Sequence, residues 1–250
     1  MALASALLKH YAVARLARTP WSVTTAAENM RRDARGKPVY VDPATGREPV
    51  AFNVSHQDGV VVLVAVAGGL PGVQVGVDIV STSERRTRDL AMLAKEPGGW
   101  ADFVDMHADV LAPGEARRLT GIGGAADDKL RAFYSLWALR EAYVKLTGEA
   151  LLAEWLRELE FRDYGPPRPT AAWAIRAEEG DGEVVRPRDI WFKGARVEDV
   201  EMCLGSVGQS FMIATAVRAP GMGEDGLAGR LGLYEELTLE EMLEFARTSG

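Results

Sequence analysis

The stretch from residue 133 to residue 152 constrains the fold most, because it predicts one long helix whose polar side chains share a single stripe. Side chains four residues apart on a helix lie almost above one another. Trp137, Glu141 and Lys145 therefore line up, and Arg140 lies beside them. An acid and a cation one turn apart could bind a metal ion and transfer a proton. The same spacing is also typical of a Glu–Lys pair on an ordinary solvated helix face.

A second segment, Gln74–Val80, predicts a strand because valine and isoleucine recur along it. Asp78 interrupts this apolar run. Since a buried carboxylate is costly without a partner, it is normally paired or bound to a metal. Gly76 fits a close approach of a ligand or of another backbone. The alternative is an aspartate that ends the strand and caps the next turn.

Together, the Gly-x-Asp pattern at Gly76–Asp78 and the Trp-x-x-Arg-Glu-Ala-x-x-Lys pattern at Trp137–Lys145 resemble the paired signatures of the Sfp-type 4′-phosphopantetheinyl transferases. The aromatic residues Phe133 and Tyr134 that enter the second motif belong to the resemblance. The amino-acid sequence of residues 137–158 is similar to that of the filamentous-fungal members of the family. The resemblance covers residues 1 to about 218.

The resemblance implies an α+β fold of two similar halves related by a pseudo-twofold axis, with the active site between them. Residues 1–75 would form the N-terminal half and residues 76–218 the C-terminal half, and residues 219–250 would be a linker and an acidic tail. In that family a strand and basic residues precede the first helix. Here the sequence begins at that helix, so we expect a truncated chain that lacks the first strand and binds coenzyme A weakly.

The implied reaction transfers 4′-phosphopantetheine from coenzyme A to a serine of an apo acyl or peptidyl carrier protein, depends on Mg²⁺ and releases 3′,5′-ADP. The implied partners are the apo carrier-protein domains of fatty acid synthase, polyketide synthase, nonribosomal peptide synthetase or the aminoadipate reductase of lysine biosynthesis. We expect these partners to dock on residues 102–120. The apolar candidates there, which could equally be core residues, are Phe103, Val104, Met106, Val110 and Leu111.

Asp78 and Glu141 match the metal carboxylates of the family, and hard carboxylate and phosphate oxygens suit Mg²⁺. Many members carry a third acid two residues after the aspartate, but Val80 occupies that position here and would share a face with Asp78. The amide oxygen of Gln57, directly after Ser55-His56, could fill the vacant place in the octahedron. A water molecule is the alternative.

Glu141 and Lys145 are the candidates to accept the serine proton, directly or through water, and Lys145 could instead bind phosphate. The resemblance implies that a further set of residues binds coenzyme A: Arg31, Lys37, Ser55, His56 and Arg140. Read without the family, His56 is a satisfied core histidine. In the same reading Arg31 and Lys37 are cations of an exposed loop.

Composition excludes several classes of protein. A hydrophobic content of 47% is ample for a packed core, and a net charge of −7 without a basic block argues against a nucleic-acid binder. The single cysteine, Cys203, indicates a reducing compartment, so we expect a cytoplasmic protein. No apolar run in the sequence is long enough to span a membrane. We also expect a monomer. The acid-free residues 1–27 mimic a transit peptide, but the leucine spacing of residues 3–18 favours an amphipathic helix of the fold.

Turn signals divide the rest of the chain. Asp58-Gly59 predicts a turn, and the apolar run Val60–Ala67 predicts a strand that forms a hairpin with the Asp78 strand. Gly148 is expected to end the long helix. Residues 219–230 are expected to be a linker before a peripheral tail helix at 233–247.

Two other functions remain compatible with the residues alone. The chain could bind carrier proteins or coenzyme A without transferring. It could also be an unrelated Mg²⁺-dependent phosphohydrolase built on Asp78 and Glu141, with water as the acceptor in place of a protein serine.

Overall fold

A computed structural model describes residues 2–68, 72–95, 98–149, 153–173, 175, 184–219 and 231–249 of the protein. The helices are α1 (Ala2–Ala17), α2 (Trp21–Thr24), α3 (Arg86–Leu93), α4 (Trp100–Asp105), α5 (Pro113–Thr120), α6 (Ala126–Thr147) and α7 (Leu239–Thr248). The strands are β1 (Met30–Arg32), β2 (Pro38–Tyr40), β3 (Val50–Gln57), β4 (Val60–Ala67), β5 (Gln74–Ser81), β6 (Leu159–Phe161), β7 (Val184–Val185), β8 (Ile190–Phe192), β9 (Ala195–Arg196), β10 (Val200–Val207) and β11 (Phe211–Arg218). This mixture of helices and sheets confirms the α+β class.

The long helix α6 is the centre of the main core. It packs on an antiparallel sheet with the strand order β5-β11-β10-β7. Gly76 permits this packing, because a Cβ atom built there would lie 2.1 Å from the carbonyl oxygen of Ala142 on α6. The expected close approach at Gly76 is therefore an approach of helix backbone. Gly148, at φ +76°, ends α6 in the left-handed conformation as predicted.

The opposite face of the sheet is covered by the β3–β4 hairpin. Val62 of β4 packs against Val77, Ile79 and Ile213 of the sheet. The predicted turn at Asp58-Gly59 is confirmed, with positive φ at both residues. The predicted hairpin between β4 and the Asp78 strand is wrong: β4 pairs with β3, and β5 pairs with β11.

The N-terminal helix belongs to the folded core. Val13 of α1 is fully buried with Tyr40, Val50 and Phe52. This packing agrees with the amphipathic-helix interpretation of residues 3–18. Within the described residues, no helix is long and apolar enough to cross a membrane.

The predicted tail helix exists as α7, a surface helix in which only Met242 is buried and which contacts α1. The ring of Phe245 packs edge-on against Tyr11 of α1 at a centroid distance of 4.9 Å. Before α7, Tyr234 exchanges two backbone hydrogen bonds of 3.0 Å with Ile175. The expected linker at 219–230 lies outside the described residues except for residue 219.

The predicted docking region, 102–120, contains both core residues and exposed residues. Phe103, Val104 and Leu111 are at most 3% exposed, whereas Met106 is 57% exposed. The expectation that all these apolar residues could face a carrier protein is therefore wrong for the three buried ones. The proposed boundary at residue 75 falls inside β5, and the division into two halves stays a prediction.

Candidate active site

Three side chains meet where α6 crosses β5. The Nζ atom of Lys145 lies 2.5 Å from Oδ1 of Asp78 and 2.7 Å from Oγ of Ser55, and the Ser55 hydroxyl donates to the same Asp78 oxygen at 3.0 Å. Asp78 is 6% exposed, and burial raises the pKa of its carboxyl while Lys145 and Ser55 oppose that shift. The ammonium and the hydroxyl therefore favour the charged carboxylate, whereas burial disfavours it. The strand-end capping role is excluded for Asp78.

Glu141 lies one helical turn before Lys145 and near Asp78. Burial raises the pKa of Glu141 to about 7, and the negative charge of Asp78 adds to the shift, while Lys145 and Arg140 oppose it. No described residue donates a hydrogen bond to the Glu141 carboxylate. A carboxyl that titrates near neutral pH can accept and release a proton under working conditions.

The residues at this junction fit a divalent cation. Asp78 and Glu141 repel each other as anions, and this repulsion adds to burial in raising the pKa of Glu141, while the ammonium of Lys145 opposes both effects. A bound Mg²⁺ would be coordinated by oxygen atoms and would relieve the repulsion. Among the described residues, no cluster of three or more His, Cys, Asp or Glu side chains forms a ready-made metal site. At this junction the protein would therefore bind the metal through two carboxylates, those of Asp78 and Glu141.

Gln57 and Val80 are the two residues that bear on a third metal ligand beside Asp78 and Glu141. The amide oxygen of Gln57 accepts a hydrogen bond from the Ser81 backbone N–H at 3.1 Å, and its amide N–H donates to Glu84 at 2.5 Å. Both ends of the amide are thus engaged, and the metal role of Gln57 stays a prediction. Val80 is 5% exposed and packs in the main core, and its side chain offers no ligand atom.

A basic loop contacts the end of α6 close to β5. Lys37 donates from Nζ to the carbonyl oxygens of Val75 (3.2 Å) and Leu146 (3.3 Å), and Arg35 donates to the carbonyl oxygen of Thr147. The carbonyl groups at a helix C-terminus attract cations. Burial lowers the pKa of Lys37. The Oδ1 atom of Asp33 fixes the turn by accepting two backbone hydrogen bonds, from the N–H groups of Arg35 and Lys37.

The remaining residues implied by the resemblance lie in different surroundings. His56 is exposed at the end of β3, which excludes the core-histidine interpretation. Arg31 is exposed and donates to the carbonyl oxygen of Glu28 at 2.6 Å, and no described contact joins it to Asp78.

The expectation that Arg140 binds coenzyme A is wrong. Its side chain is 3% exposed, pairs with the buried Glu115 at 2.6 Å and donates to the carbonyl oxygens of Leu156 and Leu159. These contacts hold the guanidinium in the interior, between α6 and the segment 156–159. Arg140 is a structural cation.

Sequence reasoning missed Arg35, Asn53 and Glu115. Arg35 lies two residues before Lys37 in the same basic loop, which was the available signal. Asn53 lies two residues before Ser55 on β3, so the alternation of side chains along a strand places both on one face. The local signal for Glu115 was its place two residues after Pro113, which predicts an acid that caps the start of a helix, but nothing local predicts its pairing with Arg140.

Comparison with known proteins agrees with these motifs. The family model described as 4′-phosphopantetheinyl transferase superfamily matches residues 74–185, and the model described as 4′-phosphopantetheinyl transferase, N-terminal, matches residues 1–68. The chain is 42% identical to 4′-phosphopantetheinyl transferase 1 of Fusarium mangiferae over 255 residues, which cover 100% of this chain and 79% of that protein.

Two further relatives widen the comparison. The chain is 34% identical to 4′-phosphopantetheinyl transferase A of Aspergillus fumigatus, across 90% of this chain and 73% of that protein. It is 26% identical to the human L-aminoadipate-semialdehyde dehydrogenase-phosphopantetheinyl transferase, across 88% of this chain and 61% of that protein. The fold and the paired motifs are those of a group-transferring enzyme. The chain belongs to the 4′-phosphopantetheinyl transferase family, and its resemblance to the fungal members is confirmed.

Proposed function

We propose that this protein transfers 4′-phosphopantetheine from coenzyme A to a serine of an apo carrier-protein domain, with Mg²⁺ as the metal and 3′,5′-ADP as the leaving group. The carrier domains would be those of fatty acid synthase, polyketide synthase, nonribosomal peptide synthetase or an aminoadipate reductase. The protein would act as a cytoplasmic monomer built from two similar halves, residues 1–75 and 76–218. The junction of Asp78, Glu141 and Lys145 is the observation that carries this proposal.

The basic loop would hold the diphosphate of coenzyme A. Lys37 and Arg35 present cations at the end of α6, and the two carbonyl contacts that Lys37 makes with described residues leave a third N–H of its ammonium for a phosphate. His56, exposed near the end of β3, would add a hydrogen-bond donor. Arg31 would reach the nucleotide end. Charge-assisted hydrogen bonds of this kind orient a phosphate as well as binding it.

The metal would be held by Asp78 and Glu141. When bound, Mg²⁺ would supply charge neutralisation at the diphosphate. Because both ends of the Gln57 amide already have partners, we assign the remaining positions to phosphate oxygens and water. Lys145 would move from Asp78 toward the phosphate when the metal arrives, since an ammonium and a divalent cation compete for the same oxygen.

Glu141 would accept the proton of the carrier serine, directly or through water. Glu141 is assigned this role because its carboxylate accepts no hydrogen bond from a described residue, whereas Lys145 is assigned to the phosphate. The serine oxygen forms a bond to the phosphorus of the pantetheine side, and the bond from that phosphorus to the bridging oxygen breaks. The electron pair leaves with 3′,5′-ADP.

An intact-mass measurement tests the proposal. The protein is incubated with coenzyme A, Mg²⁺ and an apo carrier protein, and the carrier is then weighed. A carrier heavier by one phosphopantetheine group, with 3′,5′-ADP released, is expected. An unmodified carrier with bound coenzyme A would instead indicate a binding module, and free phosphopantetheine would indicate a phosphohydrolase.

A further inference from the structure

The outer edge of β5 is closed by side chains instead of by another strand. β5 pairs along its whole length with β11, and in the described sheets β3 pairs with β4 and not with β5. Side chains of β3 reach across the gap. Oδ1 of Asn53 accepts the Val77 N–H at 3.1 Å, and Oε1 of Gln57 accepts the Ser81 N–H at 3.1 Å.

These two contacts have the same sequence separation of 24 residues, so β3 runs beside β5 in the same direction. Ser55 lies between Asn53 and Gln57 on the same face of β3, because side chains alternate along a strand. Its hydroxyl contacts Asp78. The β5 backbone is thus held at this edge by Asn53 at Val77, one residue before Asp78, and by Gln57 at Ser81, three residues after it.

Asn53 has chemical features suited to this place. It is 6% exposed, so the Val77 N–H it accepts is buried and depends on it for a hydrogen bond. Its amide oxygen is a neutral acceptor. A carboxylate there would add a second negative charge next to Asp78, whose carboxyl already has a raised pKa because of burial.

We propose that Asn53 is a positioning residue: by holding the Gly76–Val77 peptide at the outer edge of β5, directly before Asp78, it fixes the direction in which the Asp78 carboxylate presents its oxygens to a divalent cation. Asn53 itself touches neither metal nor substrate. The proposal rests on the proposed metal role of Asp78. Residues that orient metal ligands from behind typically change metal affinity by about 10–100-fold when replaced.

The test uses the full chain with Mn²⁺ as the spectroscopic probe and hydrogen exchange of the β5 segment as a second readout. In Asn53→Ala, the Mn²⁺ dissociation constant should rise about 10-fold or more, and the Val77 amide should exchange faster. Asn53→Asp keeps an oxygen acceptor and should keep the Val77 amide protected. Asn29→Ala is the matched control, because Asn29 is also 6% exposed and bonded to backbone, at the Val23 carbonyl oxygen, away from Asp78.

The outcomes distinguish the positioning role of Asn53 from the proposed metal role of Asp78. Unchanged exchange of Val77 in Asn53→Ala, or an Mn²⁺ affinity within about threefold of the parent, would overturn the role of Asn53. Equal weakening in Asn29→Ala would show a general loss of stability and would overturn it as well. If Asn53→Ala does not fold, Asn53→Asp decides, because an unprotected Val77 amide in that variant would refute the contact. A parent chain that binds no Mn²⁺ would refute the proposed metal site, whereas the exchange of Val77 would still report on Asn53.

Discussion

Lys145 and Asp78 form an ion pair across the junction of α6 and β5, with Nζ 2.5 Å from Oδ1. The ammonium of Lys145 therefore contacts the carboxylate oxygen to which the proposed metal would bind. Replacing Lys145 by Met should therefore tighten Mn²⁺ binding about 3- to 10-fold, because one positive charge next to the cation is removed. The same change should slow phosphopantetheine transfer, since the lysine would no longer reach the phosphate.

Titration of Mn²⁺ and the intact-mass rate measure the two effects on the same samples. Lys145→Arg is the control, because it keeps the charge and should leave the Mn²⁺ affinity near that of the parent. Weaker Mn²⁺ binding in Lys145→Met would contradict competition between the ammonium and the metal.

Glu141 should make the metal-free protein less stable as the pH rises. Its pKa is raised from 4.5 in the unfolded chain to about 7 in the fold, so its contribution is fully present below pH 4.5 and is lost as the pH rises through 7. Glu141→Gln removes this loss. Above pH 7 we expect the variant to be more stable than the parent by about 2–3 kcal/mol.

Urea unfolding of both proteins at pH 5 and pH 8, in the presence of a chelator, measures this difference. The two free energies of unfolding should approach each other at the lower pH. Parallel pH profiles for the parent and Glu141→Gln would rule out the raised pKa.

Arg140 should matter for stability and not for coenzyme binding. Removing one member of a buried ion pair leaves the other charge uncompensated, so Arg140→Met should cost about 3–5 kcal/mol. Replacing Glu115 by Gln in the same chain should recover part of this loss, because the buried charge is then removed.

Thermal unfolding of the two single variants and the double variant gives the coupling between the residues. At a temperature where Arg140→Met is folded, its dissociation constant for coenzyme A should match that of the parent. A large increase in that constant without a loss of stability would restore the coenzyme-binding role.

Gly76 should tolerate no side chain. A Cβ atom there would lie 2.1 Å from the Ala142 carbonyl oxygen and 2.5 Å from the Leu146 nitrogen, both helix backbone atoms that cannot rotate away. Gly76→Ala should therefore cost about 1–3 kcal/mol or more. Gly123→Ala is the control, because a Cβ atom added at Gly123 would meet no described atom within 4 Å. Chemical denaturation compares the two variants, and equal midpoints would contradict the tight contact of β5 with α6.

Local patterns predicted the parts of the site that lie on single elements. The four-residue spacing placed Glu141 and Lys145 on one stripe of α6, and the apolar alternation placed Asp78 in a strand. Arg140 was assigned wrongly because it precedes Glu141 by one residue, and consecutive helix residues lie about 100° apart around the axis. That rotation turns Arg140 toward Glu115 in the core.

The pairing of the strands could not be predicted from the sequence. The apolar run of β4 indicates a buried strand, but it does not indicate which strand β4 pairs with. The tight Asp58-Gly59 turn joins β4 to β3, and β5 finds its partner in β11, more than a hundred residues later. The alternation along β3 places Asn53 on the same face as Ser55, but its contact with Val77 depends on how β3 and β5 are arranged in space, which no local pattern indicates.

Asp78→Asn tests the central claim most directly, because it keeps a side chain of the same shape that can still contact Ser55 and removes only the charge. We expect the rate of phosphopantetheine transfer to an apo carrier protein, followed by intact mass at saturating coenzyme A and Mg²⁺, to fall about a hundredfold or more. The circular dichroism spectrum should stay that of the parent. A folded Asp78→Asn protein that transfers phosphopantetheine at the parental rate would contradict the assignment of the junction between β5 and α6 as the active site.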